Sequence, residues 1–147
     1  MAIRIVIRSV EKPTIKKPED LIDWFCEVFG IGTESGAADA EERIFKAFAY
    51  AAFENKGLSS SDPSLRQGLA RSTVIYHLNR LISMGLITKQ GRKYHLRANE
   101  MSKVIEELEY DINREMMRML DAAHEFDRLM LRQRRTRSPR AKISKER

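Results

Sequence analysis

Cysteine is almost absent from this 147-residue chain, and its few histidines do not cluster. The single cysteine, Cys26, excludes a disulfide within the chain and is typical of a protein of the reducing cytoplasm. The three histidines, His77, His95 and His124, lie far apart in the sequence and match no metal-ligand spacing. We therefore expect neither a metal nor a cofactor.

Long hydrophobic runs and glycine-rich loops are missing as well. No stretch reaches the ~18 apolar residues of a membrane span, and the first residues do not form a signal peptide. We therefore expect no membrane partner and a cytoplasmic location. The seven glycines form neither a P-loop nor a dinucleotide-binding loop. Together with the missing metal pattern, these absences predict that the protein is not an enzyme.

Positive charge is in excess, but it is confined to two regions. The net charge is +6. Residues 56–97 carry eight Lys/Arg and one acid, and residues 132–147 again carry eight and one. The rest of the chain has eleven bases and nineteen acids. This segregation favours a partner with a regular negative surface, and nucleic acid is the obvious one.

The stretch 71–97 organises the chain, and its first half predicts a helix. Val74, Leu78 and Leu81 recur at helical spacing and would share one buried face. Gly85 is placed to end the helix, because glycine readily adopts the left-handed conformation of a C-terminal cap. The opposite face is polar, which leaves it for solvent or for a ligand.

The second half of this stretch predicts a β-hairpin. Two short strand-like runs, 86–89 and 93–97, flank a three-residue gap that contains Gly91. Tyr94 and Leu96 are two residues apart, so both can face a core. A helix with an exposed polar face, joined to a small basic hairpin, is the layout of a DNA-reading helix followed by a wing.

This stretch resembles the winged helix-turn-helix of ArsR/MarR-like transcriptional regulators in the residues R-S-T-V-I-Y-H-L-N-R-L-I-S-M-G-L-I and in the closing Y-H-L. The resemblance covers about residues 40–97 and implies a mainly α fold with a small β-wing. The helix has no cysteine, so the metal box of metal-sensing ArsR proteins is absent. DNA contacts are expected from the recognition-helix residues Arg71, Ser72, Thr73, Tyr76, Asn79 and Arg80, and from the wing residues Lys89, Arg92 and Lys93.

Two features depart from the family pattern. Asp62 predicts an N-cap before a short second helix, residues 63–67, where related regulators often have a longer one. Ala70 replaces the Ser or Thr that often precedes the recognition helix, so Ser72 or the backbone must satisfy the first amides. Ahead of the second helix, the serine-rich residues 58–62 predict a loop.

Residues 1–37 predict a strand-helix extension that precedes the winged helix-turn-helix DNA-binding domain, residues 38–98. Residues 2–10 alternate isoleucine with arginine or valine, which predicts a strand. Pro18 with the acids that follow it predicts the start of a helix. The strand would pair within the fold or with its copy in a second subunit.

Residues 99–132 predict one long helix without glycine or proline. The helix would be ~50 Å long, which is more than this small domain can cover. We therefore expect a second copy of the chain to cover the rest of the helix. Two alternatives stay open: the helix lies partly free of contacts, or its methionine-rich apolar stripe binds a ligand. Residues 133–147 predict a disordered basic tail, which either contacts DNA or only solubilises the chain. The predicted interface of this homodimer is a near-heptad stripe of Ile105, Leu108, Ile112, Met116, Met119, Ala123 and Phe126.

The sequence therefore predicts a sequence-specific transcriptional regulator that binds duplex DNA as a homodimer, in the cytoplasm and associated with the nucleoid. Two alternatives stay open. One is a winged-helix adaptor that binds other proteins, and the other is a sequence-tolerant binder of chromatin or RNA. Neither the operator nor an effector ligand can be read from the residues.

Overall fold

A computed structural model describes residues 4–32 and 38–145 of the chain. The fold is mainly helical, with a small antiparallel sheet and a long C-terminal helix. The chain divides into two units, Met1–Ile105 and Glu106–Arg147, which we call the N-terminal unit and the C-terminal unit. The elements are, in chain order, α1 (Pro18–Phe29), α2 (Ala38–Phe53), β1 (Leu58–Ser59), α3 (Pro63–Arg66), α4 (Arg71–Ser83), β2 (Ile87–Gln90), β3 (Lys93–Leu96) and α5 (Met101–Lys145).

The predicted N-terminal strand, whose first residues lie outside the described part, does not form in residues 4–10. Instead, the backbone N–H of Arg4 donates to the carbonyl of Ser83, and that of Arg8 donates to the carbonyl of Val28. Both carbonyls lie in the last turns of helices, where they have no partner within the helix. Alternating β-branched residues form a strand only where another strand supplies a ladder, and here two helix ends take up the backbone N–H groups.

The core of the N-terminal unit is centred on α2, which packs against β3, α3 and α4, and α1 adds buried apolar residues at its edge. Pro18 is the first residue of α1, as predicted, and the carboxylate of Asp20 accepts hydrogen bonds from two backbone N–H groups just ahead of the helix. Phe45 and Phe48 of α2 are fully buried, and the ring of Phe29 meets Phe45 edge-on at 6.5 Å between centroids. These phenylalanines therefore pack the core.

The sequence predicts a loop over residues 58–62, but Leu58 and Ser59 form the strand β1. This strand pairs with β3, which also pairs with β2, so the sheet order is β1-β3-β2. Two residues are too few to show a strand pattern in sequence, and pairing with β3 defines the element. Just before it, Gly57 lies against His95, where an added Cβ would be 2.4 Å from the imidazole Cε1.

The predicted hairpin forms from β2 and β3. Gln90 pairs with Lys93, so the turn contains only Gly91 and the residue after it, one fewer than the predicted gap. Gly91 has φ 65°, which suits a tight hairpin turn. Tyr94 and Leu96 are both buried, as the spacing predicts.

The short helix α3 and the start of α4 follow the sequence closely. The Asp62 carboxylate accepts a hydrogen bond from the backbone N–H of Ser64 at 3.0 Å, which caps α3 as predicted. Ala70 is the N-cap of α4 and makes no side-chain hydrogen bond there. Its carbonyl accepts from the N–H groups of Thr73 and Val74, which begins the helical ladder.

Gly85 ends α4 in a Schellman motif. The N–H of Gly85 donates to the carbonyl of Ile82 at 2.9 Å, and the N–H of Leu86 donates to that of Leu81 at 3.1 Å. Gly85 has φ 78°, and the buried Leu86 supplies the apolar contact that accompanies this motif. The sharp turn directs the chain into β2.

α5 continues past its predicted end at Arg132 and reaches Lys145, so the helix includes most of the residues that the sequence predicts as a basic tail. Arginine, glutamine, lysine and alanine all have high helix propensity. A helix that is already formed also extends without a new nucleation cost. The last two residues of the predicted tail lie outside the described part of the chain.

Candidate nucleic-acid interface

The two faces of α4 differ as its spacing predicts. Val74, Leu78 and Leu81 are fully buried in the core. The Tyr76 ring, 49% exposed, stands edge-on to the buried His77 ring at 5.2 Å between centroids, so a packed neighbour supports it. The exposed residues predicted for DNA contact on the outer face are Ser72, Tyr76 and Asn79.

The first turn of α4 is tied to the segment between β1 and α3. Arg71 is exposed, and its Nε donates to the Oγ of Ser60 at 3.3 Å. Thr73, also in the predicted contact set, is half-buried. Arg71 therefore holds a positive charge beside the first backbone N–H groups of the helix, a location that favours anions.

Arg80 was predicted to contact DNA, but its side chain is engaged inside the protein. It is 20% exposed, and its Nε donates to Oε2 of Glu41 at 2.8 Å. Because Glu41 is fully buried, this ion pair draws the guanidinium away from the outer face of α4. We therefore move Arg80 from the base-contacting set to the residues that position α4.

Glu41 joins three parts of the N-terminal unit. Nδ1 of His77 lies 2.8 Å from Oε2 of Glu41, and the backbone N–H of Gly32 donates to Oε1 at 2.8 Å. With Arg80, these contacts connect α2 to the turn after α1 and to two residues of α4. We call Glu41, His77, Arg80 and Gly32 the Glu41 junction. The buried His77 thus has the structural place that its position beside the core stripe predicts.

Glu41 is ionised in this buried setting. Burial raises the pKa of the carboxyl group, but hydrogen bonds from Arg80, His77 and Gly32 outweigh burial and hold its pKa below the ordinary value. A buried charge of this kind is costly unless it is paired, and here both carboxylate oxygens have partners. The junction therefore holds α4 in place only when all of its members are present.

The sequence did not single out Glu41, because acids in the first turns of helices usually face solvent, where they interact favourably with the helix dipole. Glu41 and its neighbour Glu42 look alike in sequence, yet only Glu41 is fully buried. No local pattern identifies this acid, because its partners His77 and Arg80 lie 36 and 39 residues further along the chain.

The three wing residues occupy the hairpin as predicted, but they are not equivalent. Arg92 and Lys93 lie at the tip and are exposed. Lys89 sits opposite Tyr94 across the two strands, with its Nζ 5.6 Å from the ring centroid. The ammonium group of Lys89 is therefore held near the ring of Tyr94, whereas the charged groups of Arg92 and Lys93 are exposed to solvent.

The predicted dimer residues fall into two groups along α5. Leu108 is only 4% exposed in a single chain, and Ile105 and Ile112 are half-buried. Leu108 is therefore withdrawn from the interface, since it has almost no surface left to offer a second copy. The exposed members of the set are Met116, Met119, Ala123 and Phe126.

Comparison of the chain with protein-family models, with curated proteins and with solved structures yields no match. In the described residues, no helix has both the length and the apolar character needed to cross a membrane. The same residues contain no group of three or more His, Cys, Asp or Glu side chains arranged for a metal ion. Function must therefore be inferred from the outer face of α4, the hairpin and the Glu41 junction.

Proposed function

We propose that the protein is a sequence-specific transcriptional regulator that binds duplex DNA as a homodimer. The carrying observation is the exposed polar face of α4 beside a hairpin with two cations at its tip. Both lie within residues 56–97, which carry eight bases and one acid. One of those bases, Arg80, is neutralised by Glu41, and Lys56 pairs with Glu54. Arg71, Arg92 and Lys93 are exposed and make this surface positive.

The order of elements supports a winged helix-turn-helix. A helix, α2, is followed by the short strand β1, by the helices α3 and α4, and by the hairpin of β2 and β3. Only residues 67–70 separate α3 from α4, a connection of the length found in helix-turn-helix motifs. In this arrangement α4 is the recognition helix and the hairpin is the wing.

In the proposed complex, α4 lies in a major groove. Tyr76 and Asn79 reach base edges, and an asparagine amide can bond both N6 and N7 of adenine. Arg71 at the start of α4 and the tip residues Arg92 and Lys93 contact phosphates. Phosphate contacts supply most of the affinity and base contacts supply the discrimination.

The Glu41 junction gives this reading surface its rigidity. His77 and Arg80 flank Asn79 on α4, and both are held by the same buried carboxylate. Base readout depends on side chains placed to within a few tenths of an ångström, so a helix held on its inner side favours discrimination. Arg80 thus contributes to DNA binding through the position of α4 and not through a base.

Binding measurements with two kinds of duplex test the proposal. We expect affinity for random duplex to fall steeply with salt, and duplexes that co-purify with the protein to bind ~10³-fold or more tightly at equal salt. Asn79→Ala should remove most of that difference, and Asn113→Ala, an exposed asparagine on α5, should leave it intact. Equal affinity for both duplexes would contradict sequence-specific binding.

A winged-helix adaptor that binds another protein is the second candidate. Phe53 at the end of α2 is 78% exposed, and Tyr50 one turn earlier is also exposed. Exposed aromatic residues on a helix are typical of protein contacts. An adaptor would show no steep salt dependence in the same titrations, and Phe53→Ala would weaken its partner complex without changing DNA affinity.

A further inference from the structure

The second half of α5 carries an exposed apolar seam. We define the α5 seam by the residues Met116, Met119, Ala123, Phe126 and Met130, which are separated by 3, 4, 3 and 4 residues. All five are exposed in a single chain, and Phe126 is 62% exposed. This spacing is the heptad pattern of a two-helix coiled coil, in which each apolar side chain fits between residues of a facing helix.

The charges at the two ends of the C-terminal unit are opposite. Residues 106–111 carry four acids and no base, and residues 132–137 carry four arginines and no acid. The acidic end comes before the seam and the basic end follows it. A second copy of α5 therefore has the complementary charge only if it runs in the opposite direction.

A parallel pair of α5 helices would bury the seam equally well. It would, however, place each acidic end beside the other acidic end, and each arginine-rich end beside its copy. Like charges on neighbouring helices are destabilising, whereas opposite charges flanking a coiled-coil seam set the orientation of the pair. The apolar residues alone leave the direction undecided, and the charges decide it.

One antiparallel register satisfies the seam and the charges together. With the two-fold axis beside Asp121, Met119 lies opposite the partner's Ala123, and Met116 lies opposite the partner's Phe126. Ile112, which is half-buried, comes opposite the partner's Met130. Every position of the seam then meets an apolar residue, which gives six layers across the pair.

The same register places Glu109, which lies three residues before Ile112 at the end of the seam, next to the partner's Arg134. Glu109 and Arg134 are exposed, and two-fold symmetry makes this pair twice. Glu106 and Glu107 come alongside the remaining arginines of the partner's 132–137 segment. The apolar and the charged residues form two independent patterns, and one register satisfies both. This agreement supports the antiparallel arrangement.

We propose that two copies of the chain associate through antiparallel α5 helices with the two-fold axis beside Asp121. This inference deepens the homodimer of the proposed function and does not depend on DNA binding. The four arginines within residues 132–137 then bind the acidic segment of the partner helix. The wing and α4, rather than this segment, are left to make the phosphate contacts.

Distances between spin labels on the full-length dimer test the direction. In a Cys26→Ser background, a label at Gln133→Cys should give a separation of ~36 Å between copies, from 24 residues at ~1.5 Å per residue. A parallel pair would give less than ~20 Å at this position, since packed helices lie ~8–10 Å apart. Asp121→Cys is the matched control, because a label beside the axis should give a short distance in either direction.

A charge exchange tests the register without labels. Glu109→Arg should raise the dimer dissociation constant about tenfold by turning two attractive pairs into repulsive ones, and Glu109→Arg with Arg134→Glu should restore it. In a parallel pair residues 109 and 134 of the two copies would lie ~38 Å apart along the helices, so Arg134→Glu could not compensate for Glu109→Arg. Short distances at residue 133, or no rescue by the exchange, would overturn the antiparallel pair. A monomeric protein would overturn it together with the proposed dimer, and DNA titration of the same sample would show whether recognition by α4 survives.

Discussion

The N-terminal and C-terminal units differ in how far their apolar residues are exposed to solvent. In the N-terminal unit, α2 and α4 each turn an apolar stripe into the core, as the buried Phe45, Phe48 and Leu78 show. In the C-terminal unit, beyond Ile112, every described side chain up to residue 137 is exposed, including Met119 and Phe126. Large exposed apolar stripes mark sites that are covered by a partner.

This difference indicates which of the two units has a hydrophobic core of its own. The N-terminal unit has a core, a sheet and a buried ion-pair junction, so its surface is available for an external ligand. The C-terminal unit is one helix whose stability depends on what packs against it, because isolated helices gain little stability from propensity alone. This difference supports the proposal that the first unit recognises DNA and the second holds the copies together.

The largest effect should come from separating the two roles. Removal of residues 115–147 keeps the buried Leu108 and Asp111 but deletes the α5 seam. We expect a folded monomer that still unfolds cooperatively in urea and binds DNA only weakly, because two linked reading helices exceed the affinity of one by orders of magnitude. Light scattering at tens of micromolar measures the mass.

A shorter deletion is the control for that experiment. Removal of residues 138–147 leaves the seam and the arginines 132–137 in place, so the dimer should persist. A monomer after this shorter deletion, or a dimer after the longer one, would mean that the seam does not hold the copies together.

The second effect concerns the stability of the recognition surface. Glu41→Ala leaves Arg80 and His77 without their buried carboxylate, and losing one member of a buried charge pair costs ~3–5 kcal/mol. The free energy of unfolding in urea should fall by about that amount. Glu42→Ala, one residue along α2, should change it by less than ~0.5 kcal/mol. Similar values for the two variants would remove the junction from the account of stability.

The same carboxylate predicts a dependence on pH. Because the pKa of Glu41 is held below its ordinary 4.5 in the folded protein, its contribution to stability is complete above that value. The contribution is lost as the pH falls through the lower, folded pKa. In an acid titration followed by circular dichroism, the stability of Glu41→Gln should therefore fall less with decreasing pH than the stability of the parent. Identical pH profiles would contradict this.

The sequence predicted those parts of the fold that local chemistry specifies. Asp62 before Pro63 fixed the start of α3, and Gly85 fixed the end of α4. It failed where a distant partner decides. β1 exists because β3 pairs with it, and residues 4–10 lack a strand because two helix ends, not a strand, accept their N–H groups.

The candidate site was predictable to a similar extent. Helical spacing placed Tyr76 and Asn79 on the exposed face of α4, where the structure has them. Spacing could not separate Arg80 from these two, since the direction of a long side chain depends on what it meets. That partner, Glu41, lies 39 residues earlier, so no local pattern could have shown the pair.

The third effect separates readout from support within α4. Tyr76→Ala and Asn79→Ala should each reduce discrimination between sites by ~1–3 kcal/mol while the urea midpoint stays unchanged. Arg80→Ala should instead lower the urea midpoint, because it breaks the Glu41 junction. Binding and urea titrations on the same three proteins measure both quantities. A Tyr76→Ala protein that unfolds would show that the faces are wrongly assigned.

The smallest effect concerns the wing. Replacing Arg92 and Lys93 by alanine should weaken binding to all duplexes alike and reduce the slope of log affinity against log salt by ~0.9 for each lost phosphate contact. Lys89→Ala should change the slope less, because its ammonium already rests on Tyr94. An unchanged slope in the double variant would take the hairpin out of the interface.

Selection of bound sequences from a pool of random duplexes tests the central claim most directly. A two-fold dimer with α4 in successive major grooves should enrich an inverted repeat whose half-sites are centred ~34 Å, or a multiple of it, apart. The Tyr76→Ala, Asn79→Ala double variant, run in parallel, should enrich no motif. A pool that stays random with the parent protein, or the same motif selected by the double variant, would contradict sequence recognition by α4.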